Sequence, residues 1–383
     1  LKNMLPPFKN AFIYPRFPYV GIDVLRVLML GSKEYPVGTN RGDDPITSGG
    51  IEAYVENLSE ALARKRVKVT VITRRFAGTK TEEWHEGVRI KRVSWMRGKL
   101  LRNPSFNLHS LLRSWDEDYD VIHAHGAVAS LMGWFLAKAK GKPLVCTPHG
   151  VSKGQPQYNP ALSASIGATE RFAYKHAQCV VFLSNEERDA FGGKFGFVPS
   201  SVVIPPGINL RNYKPAKRRA PKIVFVGRLV AVKGVRYLLD AMKSVHAELL
   251  IVGDGPEKEA LQRRAGTNVR FLGHRRDVAK LLAENEIFVL PSLSEGLPVA
   301  LLEACASGCA CVVTDVGLPV ENNRTALVVE PANSTSLAFA LNRLVRDRGL
   351  RSRLGKNARV AAQKYSLDSL AKRHRALYEG ILR

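Results

Sequence analysis

The chain has 383 residues, 58 Lys and Arg against 34 Asp and Glu, a formal charge of +24 and a hydrophobic fraction of 45%. That apolar content excludes a disordered or collagen-like polymer. The length exceeds the roughly 250–300 residues that one hydrophobic core fills, so two domains are expected. The longest apolar stretch, Ala127–Ala137, is too short to span a bilayer. Five cysteines at 146, 179, 305, 309 and 311 form no C-x-x-C pair, so they read as plain buried thiols and not as a disulfide framework or a zinc site. The first 23 residues lack the apolar core of a signal peptide, and a cytoplasmic protein is expected. The positive excess is spread, with 28 basic and 18 acidic residues in 1–205 and 30 against 16 beyond. Such a field attracts a nucleotide, a phosphorylated substrate, a membrane surface or a nucleic acid.

In chain order, Val24–Leu30 reads as a strand, and Ile51, Tyr54, Val55, Leu58 and Leu62 mark one face of a helix. Strands follow at Val67–Ile72, Val88–Val93, Val121–Ala124, Leu144–Thr147 and Cys179–Leu183. The rhythm breaks over Val202–Ala220, where Ile204-Pro205-Pro206-Gly207 and a basic stretch read as a linker. It restarts with strands at Lys222–Val226, Ala247–Val252, Val269–Leu272, Ile287–Leu290 and Cys311–Thr314. Helices are expected near 234–245, 256–265, 277–284 and 298–307, and the chain is helix-rich from about 334. Strand–helix alternation of this kind makes parallel sheets with helices on both faces. Two α/β domains hinged near 205–220 are the expected organisation. Ligands then bind beyond the carboxyl ends of the strands, in a cleft between the domains.

Two strand-end turns carry the strongest chemical signals. After Leu290, the segment Ser294-Glu295-Gly296-Leu297-Pro298-Val299 opens a helix with Pro298 at its first position. Backbone N–H groups over Gly296–Val299 then face an anion, and Glu295 and Glu303 either grip two parts of one long ligand or serve as a capping and a surface acid. After Val226, Gly227-Arg228-Leu229 with Lys233-Gly234 places a guanidinium and an ammonium around one loop. They either converge on one phosphate or stand as solvated cations.

The Gly-Arg-Leu loop with its following Lys-Gly, and Glu295 and Glu303 around a Gly-Leu-Pro, resemble the family-4 retaining glycosyltransferases. The amino-terminal half agrees: Ser48-Gly49-Gly50-Ile51-Glu52, Asp120-Val121-Ile122-His123-Ala124-His125, Thr147-Pro148-His149-Gly150 and the linker Ile204-Pro205-Pro206-Gly207-Ile208 are similar to that family's segments, as is Val252-Gly253-Asp254-Gly255-Pro256. The resemblance covers about residues 24–382. It implies the GT-B architecture, α/β with two Rossmann-like doubly wound parallel-sheet domains facing across a cleft. An acceptor-side domain would span 1–205, with 1–23 an irregular extension, and a donor domain 206–365. A final helix over 366–383 would cross back to the first domain. The implied donor is a nucleotide-diphosphate sugar, a UDP- or GDP-sugar, with no cofactor and no metal. Arg228 and Lys233 would bind its diphosphate, and Glu295 its sugar hydroxyls. Gly296 and Leu297 would offer backbone N–H groups beside Pro298, with Glu303 on the ribose and Gly253 in a further donor-side turn. Gly49 and Gly50 would let backbone approach the diphosphate or acceptor, and His149 would sit by the reacting carbon. The implied reaction is hexosyl transfer with retention to a hydroxyl of a lipid, a sugar phosphate or a glycan, the leaving phosphate assisting on the same face.

Some features are discounted. Asp116–Asp120 holds a D-x-D spacing, but at the amino end of a strand, and is expected to be a solvated loop with no metal. His123 and His125 share a strand face and have metal-ligand spacing only superficially. Asn209 stands where the family often has Asp, and Gly317-Leu318-Pro319-Val320-Glu321 departs from its usual pattern and is given no role. A nucleotide-sugar epimerase on the same fold and a non-catalytic basic polyanion-binding protein remain open, as does a peripheral contact at the inner membrane face. A dinucleotide-dependent dehydrogenase is disfavoured because no complete G-x-G-x-x-G follows a strand.

Overall fold

The computed structural model describes residues 24–39, 50–98, 101–150, 160–214, 221–275, 277–295 and 297–383. The first sheet contains β1 Arg26–Leu30, β2 Lys68–Arg74, β3 Glu82–His85, β4 Val88–Val93, β5 Val121–His125, β6 Leu144–Thr147, β7 Cys179–Phe182 and β8 Ser201–Val203. Its order is β3-β4-β2-β1-β5-β6-β7-β8, parallel throughout except for the β3–β4 pair. The second contains β9 Ile223–Val226, β10 Leu249–Val252, β11 Val269–Gly273, β12 Ile287–Leu290, β13 Ala310–Thr314 and β14 Ala326–Val329, in the order β11-β10-β9-β12-β13-β14 and all parallel. Runs such as Ile287-Phe288-Val289-Leu290 are apolar at every position because helices cover both faces of such a sheet.

Helices α1 Gly50–Ala63, α2 Arg102–Ser114, α3 Ala127–Lys140, α4 Pro160–Lys175 and α5 Asn185–Phe195 belong to the first sheet. The pleat sorts its core. Leu28 and Leu30 point to one face, against Phe106 of α2, Leu136 of α3 and Tyr174 of α4. Val27 and Met29 point to the other, against Val55, Leu58 and Leu62 of α1. The second sheet carries α6 Val235–Met242, α7 Lys258–Arg264, α8 Val278–Glu284, α9 Val299–Ala306, α10 Ser334–Arg346 and α11 Arg348–Ala362. The last helix, α12 Leu367–Leu382, leaves that domain and packs on α1, where Leu367, Leu370 and Tyr378 join the core of the first sheet. Each large apolar side chain buried this way contributes roughly 1.5–3 kcal/mol.

Three strands went unread in the sequence. β8 lies inside the stretch assigned to the linker, and β3 and β14 were not singled out. All three are edge strands of three or four residues. The five cysteines are free and buried.

The acidic run 116–120 is a correction to the solvated loop expected there. The Asp120 carboxylate is buried and accepts from the Arg26 backbone N–H at 2.9 Å and from Arg26 Nη2 at 2.7 Å. The buried Glu117 side chain pairs with Lys91 and with Arg89. These ion pairs staple the amino ends of β1, β4 and β5, far from the strand ends where ligands bind. Asp118, by contrast, is exposed although it pairs with Arg26. Asp120→Ala should therefore cost about 1–3 kcal/mol in denaturant unfolding, because it strips a backbone N–H and a half-buried guanidinium of their acceptor. Asp118→Ala should stay within about 0.5 kcal/mol. Equal effects would contradict the assignment.

Candidate active site

In the second domain the loops after the neighbouring strands β9 and β12 lie backbone against backbone. Gly234 has φ +64°, and a Cβ there would overlap the Pro291 carbonyl. The Leu293 N–H donates to the Val232 carbonyl at 2.7 Å. Only glycine permits that approach. It brings Lys233 Nζ to 2.5 Å from Glu295 Oε1, and Ser292 Oγ donates to the same oxygen at 2.6 Å. Among the described residues, Glu295 Oε2 has no partner and no carboxylate pairs with the exposed Arg228 guanidinium. Lys233 is thus held by Glu295, with Arg228 on the same loop.

Two further glycines set the neighbouring turn. A Cβ on Gly253, at φ +139°, would overlap the Gly227 carbonyl, and one on Gly255 would overlap the Leu229 backbone. The β9 and β10 turns are thus docked to each other, and Gly253 is required by packing. Pro298 is the residue that precedes α9, not its first helical residue as expected from sequence, and the helix starts at Val299. Leu297 is half-buried against the core. Glu303 lies roughly 6 Å further along the helix axis. Its Oε1 accepts from Tyr213 Oη at 2.5 Å, and burial pushes both the Glu303 carboxyl and the Tyr213 phenol up. Tyr213 was not read from the sequence. It follows a short turn capped by Asn209, whose Oδ1 accepts from the Arg211 N–H at 3.2 Å. Asn209 thus does the capping work an Asp would do there.

In the first domain, β5 ends in His125, and His149 lies in the turn just after β6. The half-buried His149 has φ +61°, and its Nε2 lies 3.0 Å from His125 Nδ1. Glu187 of α5 accepts from the Gly150 and Leu183 backbone N–H groups and fixes that turn. Tyr54, one turn into α1 from Gly50, packs nearly perpendicular to the His149 ring with the ring centroids 4.9 Å apart. Gly50 and His149 are thus brought to one edge of the sheet. Above Gly50 the space is open, with nothing within 4 Å of an added Cβ. The carboxyl ends of the two sheets face each other: a Cβ on Gly317, after β13, would lie 3.2 Å from Cγ of Glu186, after β7. Gly49 and Gly296 lie outside the described residues.

Behind His149 is a cluster the sequence did not reveal. His123 Nδ1 meets Tyr378 Oη at 2.6 Å and its Nε2 meets Thr147 Oγ1 at 2.8 Å. Tyr54 Oη lies 3.2 Å from His374 Nε2, and His374 Nδ1 donates to the Leu370 carbonyl at 3.0 Å, so Tyr54 donates to His374. The partners come from α1, β5, β6 and α12, and only folding brings them together. Burial holds His123 and His125 well below the usual imidazole range, His149 at about 3 and His374 at about 4.

Among the described residues, one other group brings potential ligand atoms within 4.8 Å: Glu56, Glu60 and His85, on α1 and the edge strand β3, outside the site. A groove of about 520 Å³ along edge strand β14 also holds none of the candidate residues.

Two family profiles match the chain in succession. The one described as Glycosyltransferase Family 4 matches residues 48–212, and the one described as Glycosyl transferases group 1 matches residues 220–347. The chain is 28% identical over 284 residues to the UDP-Gal:alpha-D-GlcNAc-diphosphoundecaprenol alpha-1,3-galactosyltransferase of Escherichia coli, covering 66% of this chain and 72% of that one. It is 27% identical over 403 residues to a D-inositol 3-phosphate glycosyltransferase of Xylanimonas cellulosilytica, covering 90% and 94%. The sucrose-phosphate synthase of Thermosynechococcus elongatus superimposes with a TM-score of 0.78 at 23% identity, over 93% of this chain and 99% of that one, and shows the fold to be GT-B.

Two outcomes follow from this geometry. Gly253→Ala should lose on the order of 3 kcal/mol through overlap and backbone strain. Gly50→Ala should leave the melting temperature within a degree or two of wild type (about 0.5 kcal/mol) while weakening substrate binding if a ligand uses the open space. The second outcome concerns acid. The unfolded chain protonates His374 near pH 6.5, whereas the fold resists protonation down to about 4. The native advantage is complete above pH 6.5 and is lost as pH falls toward 4, by an amount on the order of 3 kcal/mol. His374→Gln, which keeps an acceptor for Tyr54, should flatten the fall of melting temperature between pH 6.5 and 4. An unchanged slope would remove His374 from the acid response.

Proposed function

The chain belongs to the family-4 glycosyltransferases, and on that premise we propose that it transfers a hexose from a UDP- or GDP-sugar to a hydroxyl acceptor, with retention and without a metal ion. The observation that carries this reading is the Lys233–Glu295 pair, bound through one carboxylate oxygen with the other open among the described residues, and the exposed Arg228, which pairs with no described carboxylate, on the same loop. Lys233 and Arg228 would bind the diphosphate and neutralise the charge that develops as the anomeric C–O bond breaks. Fixed cations of this kind do the work assigned to a divalent ion in metal-dependent transferases. Glu295 Oε2 would accept from sugar hydroxyls while Oε1 keeps Lys233 in place. Glu303, oriented by Tyr213, would hold the ribose. The N–H groups at the start of α9, including Leu297, would face the phosphates. His149, neutral at working pH, would sit by the anomeric carbon with Gly50 leaving room for the diphosphate or acceptor.

In the reaction the acceptor hydroxyl gives its proton to the departing diphosphate oxygen and its oxygen bonds to the anomeric carbon on the same face. The products are the glycoside and the nucleoside diphosphate. The protein contributes charge stabilisation and alignment. The relatives named above act, by their descriptions, on a diphospholipid-linked sugar and on an inositol phosphate. Both favour an anionic acceptor, lipid-linked or phosphorylated.

The test is thermal stabilisation by UDP, GDP, ADP and their sugar conjugates in chelator. A selective shift with uridine or guanosine nucleotides is expected. Equal shifts with every polyanion would defeat the reading. Glu295→Gln should abolish transfer, a loss of about a hundredfold or more in kcat, while the ligand-free melting temperature is retained. Product formed from an α-linked donor should carry an α-linkage by NMR.

A further inference from the structure

The outer side of the first domain, opposite α12, carries an apolar stripe that stands exposed among the described residues. Leu101, Pro104, Leu108, Leu112 and Trp115 recur at spacings of three and four along α2 and its ends, and all five are exposed, Leu112 at 60% and Leu101 and Leu108 at 51%. The opposite face of α2, with Phe106 and Ser110, is buried on the sheet. The neighbouring helix α3 packs against α2 and exposes a further apolar side chain, Phe135. Beside it, the segment 127–142 carries Lys138, Lys140 and Lys142 and no acid. Lys140 Nζ sits 4.8 Å from the Trp115 ring centroid, at the junction of the apolar and basic parts.

We infer that this α2–α3 face docks on the surface of an anionic lipid bilayer. A second copy of the chain would place lysines against lysines in a two-fold contact. A nucleic acid would use the lysines but leave the leucines and Trp115 unexplained. An anionic bilayer surface takes both, with apolar side chains at the acyl boundary and ammonium groups among the headgroups. No helix among the described residues is long and apolar enough to cross a membrane, so the contact is at the surface. This inference is independent of the transferase reading, because binding to vesicles needs no substrate.

The experiment is cosedimentation of the full chain with phosphatidylglycerol-containing vesicles and with pure phosphatidylcholine vesicles. Preferential binding to the first is expected, weakening with salt. Lys138→Glu, Lys140→Glu and Lys142→Glu together should weaken it by about a hundredfold. Leu108→Ser with Leu112→Ser should also weaken it about tenfold or more at unchanged charge. Both variants should keep the wild-type melting temperature and nucleotide binding. The control reverses Lys280, Lys356 and Lys364, exposed on the second domain, and should bind nearly as wild type. A control that falls as far as the α3 variant would show that the overall charge, and not this face, binds lipid. Undiminished binding by the leucine variant, or self-association lost in that variant without any vesicle binding, would overturn the inference.

Discussion

Everything the two sheets can do together depends on one short backbone contact. The chain passes between the domains twice, and the two crossings run side by side. The Ile208 N–H donates to the Tyr365 carbonyl at 2.8 Å and the Leu367 N–H to the Ile208 carbonyl at 3.2 Å. At Gly207 an added Cβ would lie 3.0 Å from Leu370 Cβ and 3.1 Å from the Ser366 carbonyl oxygen, so the linker's glycine lets the strands meet. Ser366 then caps α12 and sends it onto α1. These two hydrogen bonds hold the two crossings together at the point where the chain passes between the domains.

The candidate site uses the same device on a smaller scale. Gly234, Gly253 and Gly255 each bring one turn against the backbone of another, and the charged groups are carried in by that docking. Lys233 and Glu295 are 62 residues apart and meet because β9 and β12 are neighbours in the sheet. The amino-terminal contribution is supported differently, by a buried cluster of neutral imidazoles and phenols. Low dielectric strengthens each hydrogen bond in that cluster and penalises any charge placed there. His149 is thereby kept neutral and oriented at the rim, while α12 is tied to the first domain through His374 and Tyr378.

Much of this was legible in the residues. Buried parallel strands advertise themselves as β-branched runs, continuous as in Ile287–Leu290 or alternating as in Val88–Val93, and eleven strand segments are readable for that reason. β3, β8 and β14 were not, because an edge strand of three or four residues leaves too short a pattern. Arg228, Lys233, Glu295 and Glu303 stood out because strand-end turns with glycine and charge are where ligands bind in such sheets. Local sequence places the acidic run 116–120 at the amino end of β5 but does not show the burial of Glu117 and Asp120, because their partners Arg26, Arg89 and Lys91 lie on other strands. Pro298 was read one position too far into the helix, since a proline before a helix and a proline in its first turn have the same local sequence.

By itself the sequence determined the alternation of strands and helices, the two-domain division and the short-range turns, since periodicity and glycine placement are local properties of the chain. Tertiary structure alone decided which turns touch. It paired Lys233 with Glu295, oriented Glu303 with Tyr213, buried Asp120 on Arg26 and gathered His123 and His125 of one strand, His149 of the turn after the next strand and His374 of the last helix. Those contacts join residues tens to hundreds of positions apart, and no local pattern records them. They exist because sheet order and the returning α12 bring distant segments to one edge.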